Sequence, residues 1–338
     1  MKKRFVILLL IVFLGISLVG GCTTMDNKNF PAPSNYPDKP ITLIVPFGVG
    51  AGIDLVARLL EKSVPSHLGQ PLVIVNKPGG GGTAGWNELV SSSADGYTLA
   101  MTGVEVLLQP LYGVSKYHYP TALEPIVQIT ELPIVMVVRS DAPWQTTSDA
   151  ISYAKQHPGD FKFGHGGIGT IGHVTGETLA KITETRMQQV PFQSSSEVMA
   201  SLLGGHVQAA FLNPASVKEH IKSGTVRALG ITAEQRLTDK DLMGIPTFKE
   251  QGLNMVYTNW YGIAAPKDLP DNVRTKLAEA LKASINDPEF QKNISQLGLQ
   301  ISYLGPDESV EKWITENQKL SAVVQETGVL EKIQLQKK

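Results

Sequence analysis

Cysteine is nearly absent from this sequence. The chain of 338 residues contains one cysteine, Cys22, which excludes an intramolecular disulfide. Stability must therefore come from buried apolar side chains, and a hydrophobic fraction of 42% is enough to build a sizeable core. The length leaves room for two domains of ordinary size.

An excess of positive charge is also missing. Lysine and arginine together number 30, and aspartate and glutamate 31, which gives a formal net charge of −1. Proteins that bind nucleic acids usually carry a basic patch or stripe. We therefore expect no nucleic-acid partner.

The common catalytic and metal-binding motifs do not occur. No H-E-x-x-H, C-x-x-C or G-x-S-x-G pattern is present. His165 and His173 share one loop region, but two histidines without a nearby third ligand make a poor zinc site. We predict a protein without enzymatic activity, cofactor or metal.

Long apolar runs are confined to the N-terminus. Basic residues at positions 2–4 precede an uncharged apolar run at 5–19, and Gly20, Gly21 and Cys22 follow. This pattern is typical of an export signal, and the run is short for a membrane span, which needs ~20 residues. Because the sequence around Cys22 resembles a bacterial lipobox, we predict a lipoprotein signal peptide at 1–21, lipid on Cys22 and a tether at 22–35. An uncleaved anchor and a plain secretory signal remain open as alternatives.

Short β-branched runs alternate with helical patterns in the rest of the chain. We predict strands at residues 41–47, 72–76, 98–102, 126–129, 134–139, 161–164, 187–191, 209–212, 227–231, 261–264 and 301–304. We predict helices at residues 54–62, 147–157, 171–182, 195–204, 272–286, 288–297 and 309–328. The alternation favours an α/β fold with mainly parallel sheets, divided into two domains.

Two glycine-containing loops each follow a predicted strand and enter a helix. The first amides of a helix lack partners within it and lie at the positive end of its dipole, so they can hold a carboxylate. Thr170 adds a hydroxyl donor in the second loop. The candidate ligand-binding residues are Phe47, Val49, Gly50, Ala51, Gly52 and Asp54 in the first loop and Gly167, Gly169, Thr170, Ile171 and Gly172 in the second.

The second loop also matches G-x-G-x-x-G at residues 167–172, the pattern of dinucleotide-binding folds. Such a site also needs an acidic residue about 20 positions further on, where this chain has Phe192. An NAD-dependent oxidoreductase is therefore a remote alternative. Both loops could also be tight turns that bind nothing, since glycine is common in turns.

Several motifs in order resemble one known family. Residues 36–47, Y-P-D-K-P-I-T-L-I-V-P-F, resemble the opening of the extracytoplasmic receptors of tripartite tricarboxylate transporters, also called Bug receptors. Further matches follow at residues 68–71, 75–79, 94–99, 190–192, 203–207, 224–229, 245–247 and 260–266. The resemblance implies a periplasmic-binding-protein-like fold whose two lobes are joined by crossing strands. Lobe one would comprise 36–137 and 258–338, and lobe two 138–257.

The resemblance also implies a function. Such receptors bind small carboxylates between the lobes and deliver them to the large and small membrane subunits of the transporter. A receptor of this kind would be extracytoplasmic and anchored to the membrane by its lipid. The same fold and site would also suit a sensor that reports to a membrane kinase, and this alternative stays open.

The carry-over from the family reaches individual residues. It assigns the ligand to the amides of the first loop and Asp54, to the second loop with Thr170, to the region of Phe192, and to Asn213 at a strand end. Asp54 is expected to orient water or to accept a hydrogen bond from the ligand.

The segment 102–105, which contains the site candidates Thr102 and Glu105, departs from the family pattern, as do positions 53, 165, 193 and 194. If Glu105 faces the cleft beside Asp54, the two carboxylates disfavour a tricarboxylate and favour a ligand with an amine, hydroxyls or a cation. Alternatively, Glu105 points into solvent, because glutamate is seldom buried.

Overall fold

The structure is a computed structural model that describes residues 35–113, 115–327 and 329–336. The predicted signal peptide at 1–21, the lipidation site Cys22 and all but the last residue of the predicted tether at 22–35 lie outside the described residues. In the part that is described, no helix combines the length and the apolar character needed to cross a membrane.

Strands are found at every position where the sequence predicts one. They are β1 (Ile41–Val45), β2 (Leu72–Asn76), β3 (Thr98–Gly103), β4 (Leu123–Leu132), β5 (Val135–Arg139), β6 (Lys162–His165), β7 (Gln188–Pro191), β8 (Ala209–Leu212), β9 (Val226–Ile231), β10 (Asn259–Pro266) and β11 (Gln300–Leu304). The largest differences in length are in β4 and β10, which extend well beyond their β-branched centres because they pair with each other along their length.

All seven predicted helices are also present, with ends that shift by a few residues. The helices are α1 (Gly52–Ser63), α2 (Pro65–Leu68), α3 (Thr83–Val90), α4 (Glu105–Leu111), α5 (Tyr119–Ala122), α6 (Thr147–Gln156), α7 (Ile171–Ile182), α8 (Ser195–Leu203), α9 (Pro214–Lys222), α10 (Asp271–Ile285), α11 (Pro288–Gln296), α12 (Pro306–Thr327) and α13 (Val329–Gln336). The helices α2, α3, α4, α5, α9 and α13 were not predicted from the sequence, and of these α4 and α9 begin at the strand ends of β3 and β8.

The strands form two sheets. The first has the order β11-β4-β10-β3-β1-β2, and the second has the order β7-β6-β8-β5-β9. Among the described residues, four strand pairs are parallel and five are antiparallel. The expectation of mainly parallel sheets is therefore wrong, and the sheets are mixed.

The antiparallel pairs arise because the chain crosses between the sheets. β4 lies in the first sheet and β5 in the second, and the chain returns between β9 and β10. On its return β10 inserts between β3 and β4 and runs antiparallel to both. β5 likewise runs antiparallel to its neighbours β8 and β9.

The core surrounds both sheets and continues from one to the other. One cluster of buried residues lies only around the first sheet and includes Leu43, Met101 and Ile263. Another cluster contains residues of both sheets, for example Ala100 from β3 and Phe211 from β8. This shared packing supports four strand ends that run into helices: β1 into α1, β3 into α4, β6 into α7 and β8 into α9.

Candidate functional site

A cavity of about 60 Å³ lies where these strand ends meet, between the two sheets. In parallel strands the carboxyl ends lie at one edge of a sheet, and β1 runs parallel to β3 as β6 does to β8. The cavity is lined by Phe47, Ala51, Gly52, Ile53, Glu105, Ile134, Gly166, Thr170, Ile171, Gly172, Ser194, Ser195, Phe211, Leu212, Asn213, Asn259 and Tyr261.

The N-termini of α1 and α7 reach this cavity from different sheets. Neither N-cap residue, Ala51 or Thr170, accepts a hydrogen bond from its helix through its side chain. The Thr170 hydroxyl instead donates to Gly167 O at 2.8 Å and shapes the turn. No side-chain cap therefore occupies the leading amides of either helix, although the first amide of α7, Ile171 N, donates to Glu105.

Asn213 is the N-cap of a third helix at the cavity, α9. Its Oδ1 accepts from Ser216 N at 3.1 Å, which fixes the orientation of the amide and leaves its NH2 group as a donor. Gly52 packs directly against this side chain, since a Cβ atom there would lie 2.5 Å from Asn213 Oδ1. The first loop therefore approaches Asn213 as closely as glycine allows.

Asn259, at the start of β10, contributes a second amide that the sequence analysis missed. Its Oδ1 accepts from Val104 N at 3.1 Å and from Trp260 N at 2.7 Å. Its NH2 group is thus the remaining donor. Ser194, Ser195 and Tyr261 also line the cavity and were not among the predicted site residues. The family resemblance nevertheless pointed near them, since Ser194 and Ser195 follow Phe192 and Tyr261 lies in the matching segment 260–266.

Glu105 is buried and faces the cavity, so the alternative in which it points into solvent is wrong. Its Oε1 accepts from the first amide of α7, Ile171 N, at 3.2 Å. Burial raises the pKa of the Glu105 carboxyl, while hydrogen bonds from backbone amides act in the opposite direction.

Further contacts cross the cleft. Gly48 N donates to Gln193 O at 3.2 Å, and Gln109 Nε2 donates to Ile168 O at 3.3 Å. Together with the bond between Glu105 and Ile171, these contacts join loops of the first sheet to loops of the second. The two sides of the cleft are in contact, and the cavity lies between them.

Asp54 lies behind the first loop. Its Oδ2 accepts from Gly50 N and from Arg58 Nε, each at 2.9 Å, and its Oδ1 accepts from Asn76 Nδ2 at 2.9 Å. Asn76 Nδ2 also donates to Phe47 O at 3.0 Å. The carboxylate therefore holds the loop in shape and is not part of the cavity lining.

The predicted site residues divide into two groups by their position. Those that line the cavity are Phe47, Ala51, Gly52, Glu105, Thr170, Ile171, Gly172 and Asn213. Those that do not are Val49, Gly50, Asp54, Thr102, Gly167, Gly169 and Phe192. Val49 is largely exposed, and Gly50 lies beside Ser196. Gly169 packs against the Tyr112 ring, and Thr102 is buried within β3.

The second loop rests on two stacked, buried histidines. The rings of His165 and His173 are 4.5 Å apart between centroids. Gly169 N donates to His173 Nδ1 at 3.0 Å, and His165 Nδ1 lies 2.8 Å from Gly167 O. Burial, and secondly the charge of the neighbouring His173, lower the pKa of His165 to about 3. Within the described residues, no three His, Cys, Asp or Glu side chains are placed to hold a metal ion.

The depressed pKa of His165 predicts a loss of stability in mild acid. Unfolded chains bind a proton at this histidine below about pH 6.5, whereas the folded protein does so only near pH 3. The free energy of unfolding should therefore decrease as the pH is lowered through that window, by up to about 1.4 kcal/mol per pH unit. Denaturant titrations at several pH values should show a smaller decrease in the free energy of unfolding for His165→Asn. The control His67→Asn, at an exposed histidine, should show the same decrease as the unsubstituted protein. Equal slopes in all three proteins would contradict the prediction.

The fold and this site together define a class. Two mixed sheets flanked by helices and joined by crossing segments, with a cavity between strand-to-helix turns, form a periplasmic-binding-protein-like fold, which confirms the predicted fold class. Comparison with known proteins then identifies the family. Residues 56–329 match the family described as "Tripartite tricarboxylate transporter family receptor". The chain belongs to this family, as its motifs predict, and the family is one of receptors rather than enzymes.

Individual relatives agree with this assignment. BugT of Bordetella pertussis is 30% identical over 297 residues, which cover 87% of this chain and 90% of that protein. The structure of the periplasmic binding protein BugD superimposes with a TM-score of 0.83 at 28% identity, covering 87% of this chain and 99% of that one. The structure of an R. palustris protein solved with adipate superimposes with a TM-score of 0.82 at 25% identity, covering 87% of this chain and 99% of that one.

Proposed function

We propose that this chain is an extracytoplasmic solute-binding lipoprotein. It captures a small carboxylate in the cleft and delivers it to the membrane subunits of a tripartite tricarboxylate transporter. The observation that carries the proposal is the cavity between the two sheets, on which helix N-termini from both sheets converge. Family membership and the adipate-bound relative support the ligand class. The predicted export signal and Cys22 support the location.

The chemistry of the lining suits an organic anion. Its donors are neutral: the backbone amides of α1, the Gly172 amide of α7, the NH2 groups of Asn213 and Asn259, and the hydroxyl of Ser195. Donors already held in place lose little entropy when a ligand binds. Ile134 and Phe211 offer apolar surface to its carbon skeleton. Asp54 acts as a positioning residue, since it holds the first loop from behind.

Closure of the lobes requires a hinge, and Thr232 ties the crossing segments together. Its Oγ1 accepts from Ile134 N at 2.9 Å and donates to Tyr257 O at 2.7 Å. The residues between β4 and β5 and those between β9 and β10 are thus joined at one buried point. Rotation about this point would open the cleft, admit the ligand and re-form the closed surface that the membrane subunits recognise.

A thermal-shift screen of the purified full chain tests the ligand class. The panel contains mono-, di- and tricarboxylates, aromatic acids and amino acids, each paired with its uncharged amide. We expect the melting temperature to rise with at least one acid and not with its amide, because a ligand that binds only the folded state stabilises it by mass action. If no acid raises the melting temperature, or if acids and amides act equally, the proposed function is wrong.

A further inference from the structure

Glu105 is the one charged side chain among the described residues that line the cavity. No lysine, arginine or histidine accompanies it there. The side chain is 4% exposed, and its carboxylate also lies close enough to two buried tyrosines, Tyr112 and Tyr261, to raise the pKa of each hydroxyl further. Both phenols therefore stay protonated beside it. The N–H of Ile171 at the start of α7 favours the ionised form of Glu105 against the effect of burial, and no cationic side chain among the described lining residues offsets that charge.

The contacts of Glu105 show which position it occupies. Its Oε1 accepts the N–H of Ile171, the first residue of α7. A carboxylate on the leading amide of a helix is the arrangement that an anionic ligand would adopt there. The chain therefore supplies its own carboxylate to the anion position of α7, and it does so from a helix attached to the other sheet.

A second anion position is not filled in this way. The N-cap of α1, Ala51, offers no side-chain acceptor, and the leading residues Gly52 and Ile53 line the cavity. The NH2 group of Asn213 is next to Gly52. Two polar neighbourhoods can therefore be distinguished by their contacts. Gly52 and Asn213 present donors, whereas the neighbourhood of Glu105 presents an acceptor.

We propose that Glu105 sets the substrate class of this receptor: a small acid with one carboxylate and, at its other end, a hydroxyl or amine. The inference rests on the proposed function, because it assumes that a carboxylate binds in this cleft. The carboxylate would take the amides of α1 with Asn213, and the donor at the other end would face Glu105. Dicarboxylates and tricarboxylates would bring a second negative charge to a buried carboxylate.

The size of the expected discrimination follows from the low polarity of the site. A second ligand carboxylate about 4 Å from Glu105, in a site of low polarity, would be repelled strongly enough to weaken binding by roughly a hundredfold or more. A hydroxyl at the same position donates a hydrogen bond to the carboxylate instead. The volume of about 60 Å³ has room for roughly four to six water-sized atoms, which favours short ligands.

Calorimetry on the purified full chain with matched ligands tests the inference at neutral pH. Each dicarboxylate from malonate to adipate is compared with the hydroxy acid of equal length, beginning with malonate and 3-hydroxypropanoate. We expect the hydroxy acid to bind at least about tenfold more tightly at the length that binds best. In Glu105→Gln, which removes the charge and keeps the shape, this preference should fall at least about tenfold. Glu88→Gln, which removes an exposed carboxylate far from the cavity lining, should leave it unchanged.

The outcomes separate the two proposals. A dicarboxylate that binds the unsubstituted protein more tightly than its hydroxy acid would overturn the role of Glu105 and leave the proposed function standing. The same conclusion follows if the preference is equal in Glu105→Gln and in the unsubstituted protein. If no acid in the series or in the wider screen binds, the proposed function itself fails, and the inference fails with it. Melting curves of both variants confirm that a change in preference reflects a folded protein.

Discussion

The Gly52→Ala variant should bind its carboxylate ligand roughly ten- to a hundredfold more weakly while remaining folded. A Cβ atom at Gly52 would lie 2.5 Å from Oδ1, 2.6 Å from Nδ2 and 2.7 Å from Cγ of Asn213. Asn213 cannot move aside cheaply, because its Oδ1 caps α9 through Ser216 N. The two residues belong to different sheets, so the added methyl group opposes closure of the cleft. Calorimetry with the acid found in the screen measures the loss.

Two further variants make this prediction specific. Gly244→Ala is the matched control, since a Cβ atom there would meet no other atom within 4 Å. In an Asn213→Ser background, Gly52→Ala should cost little further affinity, because serine is smaller, still caps a helix and leaves room for the added methyl group. Unfolding of Gly52→Ala should be no easier than that of the unsubstituted protein, since its backbone is helical. Undiminished binding by Gly52→Ala would show that Gly52 and Asn213 do not meet in the closed state.

Local patterns in the sequence predicted the elements that frame this cleft. The β-branched run at 41–47, the short apolar run at 209–212 and the helical pattern at 171–182 all correspond to elements of the structure. The glycine loops were located because glycine and helix starts are local features. The helix α4 was missed because Pro110 lies inside it and breaks the expected pattern. The start of α9, in contrast, is marked in the sequence by an asparagine N-cap followed by Pro214, a pattern typical of helix starts.

Contacts between distant segments could not be predicted in the same way. The mixed pairing of the sheets depends on β10 returning from the second sheet to lie between β3 and β4. That return brings Asn259 and Tyr261 to a cavity whose other residues lie far away in sequence. The burial of Glu105 depends on α7 lying opposite it. A single sequence carries no pairing information of this kind, so the orientation of Glu105 stayed open until the structure resolved it.

Family resemblance assigns Asp54 to the site, where it could either contact the ligand or hold the first loop in shape. Its position distinguishes these two roles. A carboxylate that only touched the ligand could be removed with little effect on stability. Removing a carboxylate that holds the loop from behind should destabilise the protein. The Gly50 amide, the Arg58 guanidinium and the Asn76 amide would each lose the acceptor that Asp54 provides. Stability and affinity should then fall together, since the loop that Asp54 holds contains the amides that meet the ligand.

We therefore expect Asp54→Ala to lower the free energy of unfolding by about 3 kcal/mol and to weaken carboxylate binding in parallel. Asp54→Asn should lose most of the same stability, since an amide has one acceptor oxygen where the carboxylate uses two. Asp141→Ala is the matched control, because Asp141 also pairs with an arginine, Arg139, but at an exposed site where such pairs contribute little. Denaturant titration and calorimetry of the three variants measure both quantities. If Asp54→Ala is as stable as Asp141→Ala and only its affinity is lower, Asp54 acts on the ligand and not on the loop.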